Sequence, residues 1–184
     1  MFPANLSPAP ETISTGFLEG QTDRYGKAFT ERTLSINVRS QLSSLGKNFD
    51  TLYERTFAEA LNFHLRCPSM CLGEVYMIPV YEYDVADAQR HLVSFSKSIG
   101  RIEKYLLAFN AINGRIDINS DQHKYEQVCL LVVDFSKTPP KIYSSDSELK
   151  NDGLLPQTSI ASISNLTFQK FIPSLLQTYQ SRFP

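Results

Sequence analysis

The chain has 184 residues, 42% hydrophobic and 20% charged, with a net charge of −1. That length suits one domain with or without an appended segment, and the near-average composition excludes wholesale disorder. Balanced charge without a basic run gives no support to general nucleic-acid or acidic-membrane binding, and no run of about 18 apolar residues offers a membrane span.

Residues 1–30 read as an extended, irregular arm. Pro3, Pro8 and Pro10 break it early, no periodicity is sustained, and the apolar pairs Phe17–Leu18 and Ala28–Phe29 suggest docking onto a body or a partner. The first residues lack the positive start and apolar core of a secretory signal. Three cysteines make an odd number, and Cys129 sits in an apolar run, so a reducing cytoplasm is the expected compartment.

Between residues 31 and 45, Leu34, Ile36 and Val38 alternate as in a strand, and Leu42 and Leu45 then shift to helical spacing. Residues 49–67 form an amphipathic pattern in which "TLYE", from Thr51, matches a capping box, and Pro68 closes the helix. Residues 72–84 read as one strand, with Pro79 arguing for an edge position or a bulge. Leu92, Phe95, Ile99, Ile102, Leu106 and Phe109 recur at helical spacing and predict a long helix over 87–111, stopped at Asn113–Gly114.

"QVCLLVVDF", residues 127–135, is apolar without alternation, as a central strand covered on both faces would be. "KTPPKIYS" predicts a turn into a short returning strand, and "SDSELKNDG" one or two helical turns. Residues 166–183 have helical spacing, with Pro173 forcing a kink or a fresh start. Residues 31–184 are therefore expected to form a single α+β or three-layer α/β domain. Its small mixed sheet would be packed by two or three long helices, and the two main strands, joined by a helix, would run parallel.

Two cysteine chemistries can be weighed. His64, Cys67 and Cys71 could give three zinc ligands, with the fourth from His91, His123 or Cys129, but structural zinc sites are usually built from two short pairs and the second is missing. At about 100° per residue, His64 and Cys67 share the stripe of Phe49, Tyr53, Phe57 and Ala60, which points them at the core. A cysteine nucleophile at Cys67 or Cys71, paired with His64 or His91, has none of the sequence contexts of cysteine hydrolases around it. Glycine-rich phosphate loops, nucleophile elbows, HExxH and EF-hand patterns are absent from the sequence.

Metal-dependent phosphodiester hydrolysis needs carboxylates converging on a divalent cation, with a lysine near the attacking water. Glu74, Glu82 and Asp84 would share one face of a regular strand, Asp134 ends the apolar strand, and Lys137 and Lys141 follow. This set, within a helix, strand, helix and strand-pair order, resembles the restriction-endonuclease-like nuclease core, and the resemblance implies those six residues as catalytic and Mg as cofactor. In that family the second acid and the lysine lie two residues apart on one strand. Here "DFSK" places Asp134 and Lys137 three apart, on opposite faces. Alternatively, Glu74, Glu82 and Asp84 are the solvated charges that guard an edge strand.

Tyr76, Tyr81, Tyr83, Tyr105, Tyr125 and Tyr143 gather around the predicted strands, as interface residues or as ordinary sheet packing. The expected function is a non-catalytic interaction or accessory subunit of a larger cytoplasmic assembly, needing no cofactor and contacting a protein partner or its own copies. The alternative is a divalent-metal nuclease.

Overall fold

The computed structural model describes residues 6–14, 18–99 and 101–184, and Pro3 and Phe17 of the arm lie outside them. In the arm, β1 (Glu11–Thr12) pairs antiparallel with β2 (Thr22–Asp23), and a short α1 (Lys27–Thr30) follows. Next come β3 (Leu34–Ser40), α2 (Leu45–Arg66), β4 (Cys71–Pro79), β5 (Tyr81–Tyr83), α3 (Val85–Ala88) and β6 (Phe95–Ile99). The chain continues with α4 (Ile102–Ala111), β7 (Gln127–Asp134), β8 (Lys141–Tyr143), α5 (Asp146–Asn151) and α6 (Phe168–Arg182).

The main sheet has the order β3-β4-β7-β8, with β3, β4 and β7 parallel and β8 antiparallel to β7. On one face Leu72, Tyr76 and Ile78 of β4 and Val128, Leu130 and Val132 of β7 join a large core with Leu45, Phe49 and Ala60 of α2 and Leu106 and Phe109 of α4. On the other, Phe171, Leu175 and Tyr179 of α6 pack on Leu34, Cys71, Val75 and Cys129. The architecture is thus a mixed α+β sandwich of the expected class, and its central strands carry the unbroken apolar run that burial on both faces requires.

Gly73 sets how closely α6 lies. A Cβ built there would sit 2.8 Å from both Leu175 Cδ2 and Phe171 Cζ, so the helix packs against bare backbone. Arg182, in the last turn, donates to the Ser69 and Met70 carbonyls and fixes the far end. Pro173 lies inside α6 without starting a new helix. The arm is tied to the body by Arg66, which reaches Glu11 at 2.8 Å and Asp23 at 2.6 Å, and by Phe29, which is buried.

Three sequence expectations are corrected. Pro79 marks neither an edge nor a bulge. It is the last residue of β4, a strand hydrogen-bonded on both sides, where a missing N–H matters least. The strand consequently breaks at Val80, and β5 belongs to a separate pair with β6. The helix expected over 87–111 is three elements, because the apolar–serine alternation of "VSFSKSI" forms β6 against β5 and only Ile102–Ala111 is helical at length. Helix α2 begins six residues before Thr51, at Leu45, so "TLYE" is not its cap. The capping group comes from another element: Glu82 of β5 accepts from Ser44 N–H at 2.6 Å and Leu45 N–H at 3.2 Å.

Candidate functional site

Two polar clusters lie beneath α2. The first gathers around Glu126, just before β7. Its carboxylate accepts from Arg115 Nη1 at 2.9 Å, Arg182 Nη1 at 2.7 Å and the Leu72 N–H at 2.7 Å. His64 completes the cluster, with Nε2 3.4 Å from Glu126 Oε2 and Nδ1 2.9 Å from the Gln122 carbonyl, so both ring nitrogens face acceptors. Burial pushes the Glu126 carboxyl up, but the His64 contact, the Arg182 charge and the Leu72 amide together hold it below the usual carboxylate range. Arg115 spends its remaining donors on the Pro68, Ile118 and Ser120 carbonyls. The cluster ties α2, α6, β4, β7 and the loop before β7 to one carboxylate, and Arg182 Nη2 is buried without a hydrogen-bond partner among the described residues.

The second cluster is built on β3. Its odd-numbered backbone groups bond to β4, as Cys71 N–H to Thr33 O at 3.1 Å and Gln41 N–H to Met77 O at 3.0 Å show at either end. The same register places Ser35, Asn37 and Arg39 beside Leu72, Glu74 and Tyr76, on the α2 side. Arg39 reaches Glu59 of α2 in an ion pair, donates to Thr56 Oγ1 at 3.1 Å, and lies 3.4 Å from Glu74 Oε1. Gln41 accepts from Tyr76 and Tyr105 hydroxyls at 3.2 and 2.6 Å and donates to the Ser44 carbonyl. Among the described residues neither Glu74 oxygen nor Asn37 Nδ2 has a hydrogen-bond partner, although all three atoms are buried. Burial therefore pushes the Glu74 carboxyl up to about 7, against the pull of the Arg39 charge and of Asn37.

The opposite side of β3 is apolar and open. Ile36 and Val38 align with Gly73 and Val75, on the face that α6 covers, but lie outside its footprint and are 38% and 75% exposed. On the other edge strand, Ile142 of β8 shares that face and is 56% exposed. An edge strand ordinarily turns apolar side chains in and polar ones out. Strand β3 beyond Leu34 does the reverse. Among the described residues it pairs with β4 alone, so the backbone groups of Ile36 and Val38 point away from the sheet. Beside this edge, a groove of about 480 Å³ runs along α2, lined by Arg55, Ala58, Glu59, Asn62, Phe63 and Arg66.

The sequence-derived candidates are dispersed over separate tasks. Glu74 belongs to the β3 cluster, Glu82 caps α2, and Asp84 caps α3 through the Ala86 and Asp87 amides. Asp134 is buried and accepts from Ser136 N–H and Oγ at the turn after β7. Lys141 pairs with Asp152 at 2.6 Å and covers the Tyr143 ring, while Lys137 is exposed on the same turn. Because the strand breaks at Val80, Glu74 does not share a regular face with Glu82 and Asp84. Among the described residues no two of the four acids have a hydrogen-bond or ion-pair partner in common. Among the described residues no group of three or more His, Cys, Asp and Glu side chains is placed to hold a metal ion.

Cys67, Cys71 and Cys129 are buried free thiols, and desolvation pushes them up to about 11, 11 and 12, away from the thiolate form. Tyr76, Tyr105, Tyr125 and Tyr143 are core residues, and Tyr81 and Tyr83 are half-buried, Tyr83 against Phe95 and Phe135. The residues that sequence reasoning missed are Arg39, Glu59, Arg115, Glu126 and Arg182. A polar residue at every second position of "LSINVRS" was the available signal for Arg39. Among the described residues no helix is long and apolar enough to cross a membrane. Comparison with known proteins finds no matching family model, no curated relative and no matching solved structure.

Proposed function

We propose that the protein is a non-catalytic subunit of a larger cytoplasmic assembly, and that it binds a protein partner through β3 and the uncovered part of the sheet. The observation that carries this reading is the inverted strand: Arg39, Asn37 and Gln41 are turned inward while Ile36 and Val38 face water. Keeping a half-buried arginine and a buried carboxyl that has no hydrogen bond among the described residues on the inner side costs free energy, and leaving β-branched side chains outside recovers little. A partner covering Ile36 and Val38 supplies the missing burial, and the outward-pointing backbone groups of those two residues can take main-chain hydrogen bonds from it. Three free buried thiols suit a reducing compartment.

The test is capture of the tagged chain at native expression level from its source. Wild type and the control Ile160→Lys, at an isoleucine 90% exposed elsewhere on the surface, should both retain the partner, and Val38→Lys should lose it. Equal retention by all three chains would contradict the reading.

A further inference from the structure

We infer that the partner engages this site with a short extended segment, which pairs with the outward backbone of Ile36 and Val38 and turns acidic side chains into the groove along α2. The inference rests on the interaction reading above and names the chemistry of the partner. Leu34, at the start of β3, is already engaged, so the open stretch begins at Ile36. The outward N–H and C=O groups of residues 36 and 38 offer two donors and two acceptors. Such a stretch suits a single added strand, which takes its affinity from main-chain bonds and its specificity from alternate side chains.

The groove fits the same segment. Its lining runs along α2 from Arg55 to Arg66, roughly 17 Å at about 1.5 Å per residue, which about five extended residues span. It lies on the polar side of β3, because Glu59 both lines it and pairs with Arg39. Side chains of an added strand point alternately to its two faces. One set therefore covers Ile36 and Val38 and is apolar, while the other enters the groove.

Charge sets the chemistry of the second set. Arg39 is held by Glu59, and Arg66 by Glu11 and Asp23. Arg55 is exposed at one end of the groove and, among the described residues, has neither an ion pair nor a hydrogen bond. With Glu59 engaged, the groove is left with an excess cation, and a carboxylate is its complement. Ala58 and Phe63, between the two arginines, give the apolar wall against which the stem of a glutamate packs. A basic side chain entering there would meet Arg55 and Arg66 with no free carboxylate in the lining.

Fluorescence anisotropy of the purified full chain at low ionic strength tests this with two labelled probes, the peptides Val-Glu-Val-Glu-Val and Val-Lys-Val-Lys-Val. The expected result is saturable binding of the acidic probe, at least tenfold tighter than the basic one, with the Ile36 and Val38 amides protected from hydrogen exchange in the complex. Arg55→Glu should keep the circular dichroism of wild type and weaken the acidic probe about fivefold, and Val38→Ser should weaken both probes. Ile160→Lys should bind like wild type. No binding of the acidic probe, equal binding of the two probes, or an unchanged preference in Arg55→Glu overturns the inference. If that happens while Val38→Lys still loses the native partner, the acidic strand is refuted and the interaction reading stands. If the native complex is also indifferent to Val38, both fall.

Discussion

Glu74 occupies the centre of a sheet, between β3 and β7, with no hydrogen bond to either oxygen among the described residues. A carboxyl in that position folds more readily protonated than ionised. Its folded value of about 7 lies above the ordinary 4.5, so its favourable contribution is complete below pH 4.5 and is lost as pH rises through 7. Glu74→Gln should remove this loss. Urea unfolding of wild type and variant at pH 5 and pH 8 should show the variant gaining on wild type by up to about 3 kcal/mol at the higher pH. A difference independent of pH would show that Glu74 titrates normally. Glu126 behaves in the opposite sense, since it is held ionised by Arg115, Arg182 and the Leu72 amide. Glu126→Gln leaves two buried cations short of their counter-charge and should cost about 3–5 kcal/mol in the same assay at pH 7.

The α6 layer depends on a glycine. Gly73→Ala would push a methyl group into Phe171 and Leu175, lifting α6 from the sheet, and should destabilise the fold by about 1–3 kcal/mol in urea unfolding. Elements of this kind were legible in the sequence where one local pattern matched one environment. The run around Val128–Val133, the helical turns of "SDSELKNDG" and the stripe of α2 all appear where their spacing places them. What failed was decided by distant residues. The N-terminus of α2 is fixed by Glu82, which lies 37 positions from Leu45. Strand β6 reads equally as period two or as helical spacing, and only its pairing with β5 decides. The candidate site was legible only in part: alternation in "LSINVRS" marks a strand, but that its polar side faces inward depends on Glu59 and Thr56 of α2.

At the scale of the whole molecule, the sandwich is complete on its α2–α4 side and incomplete on the other. Helix α6 covers Cys71, Gly73, Val75 and Cys129 and leaves Ile36, Val38 and Ile142 to solvent. An interaction module accounts for both the open face and the inverted strand. The six acids and lysines considered for metal-dependent hydrolysis instead have separate surroundings, at a cap, a turn, an ion pair or a buried sheet position. Val38 separates folding from association, because a side chain 75% exposed contributes little to the folded monomer. The most direct measurement compares wild type and Val38→Lys for both urea midpoint and native assembly size at matched concentration. The expected result is midpoints within about 0.5 kcal/mol of each other, with the larger assembly seen only for wild type. An unchanged assembly in Val38→Lys, or a wild-type chain found alone at 20.8 kDa under native conditions, would contradict β3 as the interface.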